Sequence, residues 1–280
     1  EQKVPALEGK VAIVTGAGRY NGIGRHIALA LARQGADVAV TGSGRPPEAY
    51  PEEEKALGWR DVESVAEEIR ELGRRPGGRP SGRALPVVID ITKAGEVQRL
   101  VDETRRELGR IDILVNNAAA ARGSDRVPVV DLEEAEWRKV IEVNLTGTFL
   151  VTKAVAQALI EQGEGGRIVN ISSVAGREGI ATFAAYGTTK AGIILFTQVL
   201  ARELAPHGIK VNCVCPGLVG TYRMQDVTQG PIREAVMRTI PLGREGQPEE
   251  IGELVAFLCG PDASYVHGQA INIDGGRVMQ

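Results

Sequence analysis

The chain has 280 residues, 43% of them hydrophobic and 25% charged, with a formal net charge of −3. Those values suit one α/β domain with a core large enough to need neither disulfides nor metal. They exclude a disordered chain, and they exclude a basic surface field that would attract nucleic acid or acidic lipid.

In chain order, VAIVTG (11–16) is an apolar, β-branched run that predicts a strand. HIALALARQG (26–35) predicts a helix closing on Gly35 as a C-cap. Strand DVAVTG (37–42), helix DVESVAEEIRELG (61–73) and strand ALPVVID (84–90) follow. The helix EVQRLVDETRRELG (96–109) leads into strand IDILVNNAA (111–119), and a long helical segment, 133–162, precedes GRIVNISS (166–173). A helix over 186–205 precedes GIKVNCVCPG (208–217), and QAINIDGG (269–276) is the last strand. Seven apolar strands separated by helices predict a single α/β domain over 1–280: a doubly wound Rossmann fold, its seven-stranded parallel sheet covered on both faces.

Two loops are too long for this pattern. The stretch at about 43–60 contains Tyr50 and Trp59, aromatic residues that predict docking against a neighbouring subunit or a cofactor's adenosine end. The second, about 74–83, lies in the arginine-rich run ELGRRPGGRPSGR, whose Gly and Pro content reads as an exposed surface loop. Cys213 and Cys215 read as buried thiols of a reducing compartment rather than parts of a disulfide framework. His26, His207 and His267 show no metal-ligand spacing, so no metal is expected. The longest uncharged run, 211–222, is twelve residues, short of the ~18–20 that span a bilayer. No leader pattern opens the chain. The expectation is a cytoplasmic protein with no membrane partner.

TGAGRYNGIG (15–24) lies between the first strand and the first helix, and that context gives its glycines meaning. Gly16 permits a tight turn, Gly22 lets backbone approach a pyrophosphate, and Gly24 lets helix and sheet pack closely. The helix N-terminus offers N–H groups and partial positive charge to phosphates. A carboxylate ending the second strand would select NAD by bonding the adenosine ribose 2′-hydroxyl. Thr41, Gly42 and Ser43 supply none. Ser43 and Arg45, with Arg19 as a second cation, instead predict a 2′-phosphate site and favour NADP(H), with NAD(H) the alternative. Asp90 is placed to accept from the adenine amino group or to cap the following helix.

Tyr186 and Lys190 are four apart, so they share one helix face. A tyrosine acting as acid or base must have its pKa moved from ~10 toward working pH. The lysine ammonium and an oxidised nicotinamide ring both favour the phenolate.

Taken together, TGxxxxxGxG, Asp90, NNAA (116–119), Asn144 in EVNLTG, ISS (171–173), YGTTK (186–190) and PGLVGT (216–221) resemble the short-chain dehydrogenase/reductase family over essentially the whole chain. The tail from PLGREGQPEEIGELVAFLCGPD onward is similar to bacterial 3-oxoacyl-carrier-protein reductases and to sugar or alcohol dehydrogenases. Two departures stand out: five residues separate Gly16 from Gly22 where the family has three, and NNAA replaces NNAG.

The resemblance implies roles. Ser173, thirteen residues before Tyr186, holds the substrate oxygen, with Ser172 a structural neighbour. Asn144, in a locally bent helix, joins a water-mediated proton relay to Lys190, which also bonds the nicotinamide ribose. Ile23, Ile91, Asn117, Ala118 and Ala119 line the cofactor, and Pro216, Gly217, Val219 and Thr221 contact its nicotinamide side.

The implied reaction is hydride transfer between NADP(H) or NAD(H) and a small-molecule carbonyl or secondary alcohol, favouring ketone or 3-oxoacyl reduction. An NAD-dependent alcohol or sugar dehydrogenase is the alternative, and a non-catalytic dinucleotide-binding regulator or scaffold is the alternative of another class. The six-residue spacing of enoyl reductases would put Phe183 in the tyrosine's place, and phenylalanine has no proton to give. The substrate pocket is expected from Val174, Ala175, Glu178, Phe183, Ala121, Arg122 and a lid at about 218–240. Arg122, Arg126 and Arg177 would form a basic patch for an acyl-carrier-protein thioester. In relatives the helices at 133–162 and 186–205 form a dimer interface, and Ala191, Ile194, Leu195 and Val199 fill more than one stripe of the second. A homotetramer, or a homodimer, is therefore expected.

Overall fold

The computed structural model describes residues 6–73, 82–221 and 230–279, without the side chains of 230–232. Most of the expected loop at 74–83 and residues 222–229 of the expected lid lie outside the described residues.

Seven strands form one parallel sheet in the order β3-β2-β1-β4-β5-β6-β7. They are β1 (Val11–Val14), β2 (Asp37–Gly42), β3 (Ala84–Val88), β4 (Ile113–Asn116), β5 (Gly166–Ile171), β6 (Ile209–Pro216) and β7 (Ala270–Ile273). Alternate residues of the central strands feed two separate cores, as the period of two demands. Ala12 and Val14 pack with α1 (Ile23–Arg33), α3 (Val62–Gly73) and α9 (Pro248–Cys259). Val11 and Ile13 pack with α4 (Ala94–Leu108), α6 (Gly147–Gln162) and α7 (Ala184–Leu204). The strand order reverses between β1 and β4, and in an open parallel sheet that switch point leaves a crevice beyond the strand ends.

Four elements refine the sequence reading. The segment 133–162 is two helices, α5 (Glu134–Ile141) and α6, joined by a π-helical turn over Glu142–Thr146. By length and composition this stretch is apolar enough to cross a membrane, but half of it is buried inside the molecule. Helix α9, not singled out from sequence, starts on a capping box between Gln247 and Glu250 with Pro248 in its first turn. Helix α8 (Gly230–Met237) lies in the expected lid. The long loop at 43–60 contains a short helix, α2 (Glu52–Ala56). Cys213 and Cys215 are buried free thiols, as expected, and so is Cys259.

Candidate active site

The crevice begins at the loop between β1 and α1. Gly16 takes φ +66°, a conformation costly for other residues. A Cβ on Gly24 would stand 2.5 Å from both Asn117 Nδ2 and Gly16 O, so the close approach of helix and sheet requires glycine there. The loop is tied to the end of β4: Thr15 Oγ1 accepts from the Asn117 and Ala118 N–H groups at 3.0 and 3.1 Å. Asn117 Nδ2 donates to Thr15 O and Gly16 O, both at 2.9 Å. The N-cap of α1 is Gly22, with no side-chain cap. Its first amide groups therefore suit an anion.

The crevice has a volume of about 660 Å³, within the range of small-molecule sites. Gly16, Arg19, Gly22, Ile23, Gly24, Ser43, Arg45, Asp90, Ile91, Asn117, Ala118, Ala119 and Thr221 all line it, so most of the expected cofactor residues converge. The glycine cradle and the uncapped helix start fit a dinucleotide pyrophosphate. Pro216 ends β6, and the Gly217 N–H donates to Ile273 O at 3.0 Å. Val219 is 3% exposed, and its side chain belongs to the core.

Two residues expected at the adenosine end hold partners of their own. Arg45 Nη1 donates to Glu54 Oε2 at 2.8 Å and Nε to Asp61 Oδ2 at 3.3 Å, while Nη2 is buried without a partner among the described residues. Glu54 is fully buried, and a carboxylate removed from water this completely needs such a partner. Asp90 Oδ1 accepts from the Thr92 N–H at 3.0 Å and Oγ1 at 2.7 Å, the local turn that opens α4. These bonds to Thr92, helped by Lys93, hold its pKa below the usual carboxylate value.

The long loop docks within the molecule, against the enlarged glycine loop. The Tyr20 N–H donates to Glu54 Oε1 at 2.9 Å, and Trp59 Nε1–H donates to Gly18 O at 2.7 Å. The Tyr20 and Trp59 rings meet edge to face at 5.1 Å, with the Arg25 guanidinium over both. The long loop at 43–60 and the lengthened glycine loop are thus one structure: the inserted chain braces the other.

Tyr186 lies in the first turn of α7, with Lys190 one turn on. Lys190 is 3% exposed, its Nζ 5.6 Å from the Tyr186 ring centroid and donating to Ile171 O at 2.7 Å. Ser173 follows β5 and its Oγ accepts the Ala175 N–H at 3.2 Å, capping a turn over Val174–Gly176. That turn packs directly on α7: a Cβ on Gly176 would fall 2.6 Å from the Lys190 carbonyl carbon. Ser172 Oγ donates to Lys190 O at 2.7 Å, the structural contact expected of it.

Asn144 sits in the π turn, fully buried. Its Oδ1 accepts from the Ala120 N–H at 2.8 Å, and its Nδ2 donates to Thr189 Oγ1 at 3.0 Å. It joins the segment after β4 to the residue beside Lys190.

The basic patch does not form as expected. Arg126 pairs with Asp125 and lies over the Tyr186 and Phe183 rings, 4.4 Å from each centroid. Arg177 turns inward to Ala270 O. Glu178 pairs with Arg277 at 2.6 Å, and Arg122 lines the cofactor crevice. Sequence reasoning missed three groups: Glu54, Asp61 and the contact of Arg126 with the tyrosine. Glu54 belongs to the acidic run EEEK, which reads as a solvated face.

Ser173, Tyr186 and Lys190 are not among the residues lining the crevice, but a tyrosine one helical turn from a buried lysine, in a chain with a glycine-lined crevice at the sheet's switch point, fits a nicotinamide-dependent oxidoreductase. The chain belongs to the short-chain dehydrogenase/reductase family. A family model described as enoyl-(acyl carrier protein) reductase matches residues 16–277. The chain is 40% identical to a 3-oxoacyl-[acyl-carrier-protein] reductase of Synechocystis sp., over 98% of this chain and 99% of that protein. It is 36% identical to a (3R)-3-hydroxyacyl-CoA dehydrogenase of Mus musculus, over 98% of both. Among solved structures, a 7α-hydroxysteroid dehydrogenase complexed with NADH and 7-oxo-glycochenodeoxycholic acid is similar, with TM-score 0.83 and 32% identity, over 99% of this chain and 97% of that one. A short-chain dehydrogenase/reductase from Mycobacterium marinum has TM-score 0.81 and 35% identity, over 99% and 98%.

Proposed function

We propose that the protein interconverts 3-oxoacyl and 3-hydroxyacyl thioesters, with Tyr186 as the acid in reduction and the base in oxidation. The observation that carries the chemistry is Lys190, buried and one helical turn from Tyr186, its Nζ 5.6 Å from the ring. The substrate class rests on relatives named for such thioesters, at 40% and 36% identity over nearly the whole chain. The spacing of Tyr186 and Lys190 supports carbonyl rather than enoyl reduction, because Phe183 has no proton to donate. Small ketones, sugars and alcohols are the competing substrates.

The nicotinamide, when bound, supplies or accepts the hydride. Ser173 holds the substrate oxygen by a hydrogen bond. Tyr186 O–H gives its proton to that oxygen as the carbonyl carbon is reduced, leaving a phenolate. The Lys190 and Arg126 cations stabilise that negative charge. Asn144 holds the π turn against the segment carrying Thr189 and Lys190, and the phenolate regains its proton along the Lys190 side of the site. The pairing of Arg45 with two carboxylates supports NAD(H) over NADP(H), for whose 2′-phosphate Ser43 and Arg19 are the other candidates.

The protein acts in the cytoplasm as a homodimer or homotetramer; the free buried thiols support the first, and the exposed Phe149, Leu195 and Val199 support the second. The Tyr186→Phe variant tests the mechanism. It is expected to bind nicotinamide cofactor normally while kcat for acetoacetyl thioester reduction falls about 10²–10⁴-fold. Unchanged turnover would remove Tyr186 from the chemistry and favour a scaffold.

A further inference from the structure

We propose that Asp61, delivered from the start of α3, selects NAD(H) by accepting the adenosine ribose 2′-hydroxyl and repelling a 2′-phosphate. This rests on the reading of the crevice as a nicotinamide dinucleotide site.

Strand β2 ends without a carboxylate, yet one reaches the same place from elsewhere. Asp61 lines the crevice with Gly18, Thr41, Gly42 and Ser43, and its side chain is about nine-tenths buried. Its Oδ1 lies where a Cβ on Gly18 would be and 3.1 Å from the position of a Cβ on Gly42. That oxygen therefore sits between the glycine loop and the end of β2, and it has no hydrogen-bond donor among the described residues. The backbone of Asp61 takes φ +53°, a left-handed conformation that a non-glycine residue holds only when its surroundings impose it.

The surroundings come from the inserted chain at 43–60. Arg45 bonds Asp61 Oδ2 at 3.3 Å and Glu54 at 2.8 Å, with the Tyr50 ring 4.7 Å from its guanidinium carbon. One positive charge faces two negative ones. The Tyr50 hydroxyl reports the same balance: burial first, then Asp61, raise its pKa, with Arg45 opposing and Glu54 adding to the rise. Ser43 and Arg19 remain on the rim of the crevice, both exposed. A 2′-phosphate placed against Asp61 Oδ1 would meet a carboxylate oxygen of like charge, whereas a 2′-hydroxyl would find an acceptor.

The test is calorimetric titration of the full protein with NADH and NADPH, repeated for Asp61→Asn, which tolerates the left-handed backbone. Competition by AMP and by adenosine 2′,5′-bisphosphate reads the same site without the nicotinamide. The wild type is expected to bind NADH at least tenfold more tightly than NADPH, and AMP more tightly than the bisphosphate. Asp61→Asn is expected to shrink the NADH:NADPH ratio at least tenfold, chiefly by tightening NADPH. Tighter NADPH binding by the wild type overturns the proposal, as does an unchanged ratio in a folded Asp61→Asn protein. Binding of neither dinucleotide would overturn the dinucleotide reading itself, and the role of Asp61 with it.

Discussion

Arg126 shows how far a single side chain can depart from its sequence-level role. Read from sequence it belongs to a surface patch; in the fold its guanidinium lies 4.4 Å from the Tyr186 ring centroid, on the scale of a cation–π contact. Its pairing with Asp125 anchors it there. Such contacts contribute about 0.5–2 kcal/mol, and this one grows as the tyrosine oxygen becomes negative. Arg126→Gln is therefore expected to lower kcat by about 3–30-fold, with the dissociation constant for NADH changed less than twofold, as measured by steady-state kinetics and titration. Equal activity would show that Lys190 alone stabilises the phenolate. By contrast, the Ser173–Tyr186–Lys190 set was legible from sequence because its spacing is local. Lys190 follows Tyr186 on one helix, and Ser173 follows its strand. Nothing local reports that Glu54 meets the Tyr20 amide, 34 positions away in the chain.

At the scale of elements, the strands and most helices were readable because a parallel sheet leaves each strand an uninterrupted apolar run. Helix α9 has a local start signal in Gln247, Pro248 and Glu250, the capping box and first-turn proline that open it. The local bend expected at Asn144 takes the form of a π turn over Glu142–Thr146, a change in hydrogen bonding whose type no unusual residue marks. Helix α7 carries two apolar faces, as its composition predicted. Ile193, Leu200 and Leu204 face the core, while Leu195 is 62% exposed and Val199 42% exposed. On the neighbouring α6, Phe149 packs beside Phe196 of α7 and is 45% exposed, extending the uncovered surface. A homo-oligomer would cover it. Leu195→Glu is expected to shift the sedimenting species toward monomer; an unchanged mass would place the interface elsewhere.

For the whole molecule, the sheet's switch point and the braced glycine loop meet on one crevice, and the first turn of α7 carries Tyr186. On the proposed mechanism the fold supplies rigid edges for three jobs: the uncapped start of α1 for phosphate, the end of β5 for the substrate oxygen, and α7 for the proton. The central claim is that this arrangement moves a hydride between nicotinamide and a carbonyl carbon. Incubating the protein with acetoacetyl thioester and reduced nicotinamide cofactor carrying deuterium at both C4 positions, followed by mass spectrometry of the product, tests it most directly. The account predicts a 3-hydroxyacyl thioester carrying one deuterium on C3. A product without deuterium, or no consumption of cofactor with any ketone or thioester offered, would contradict it.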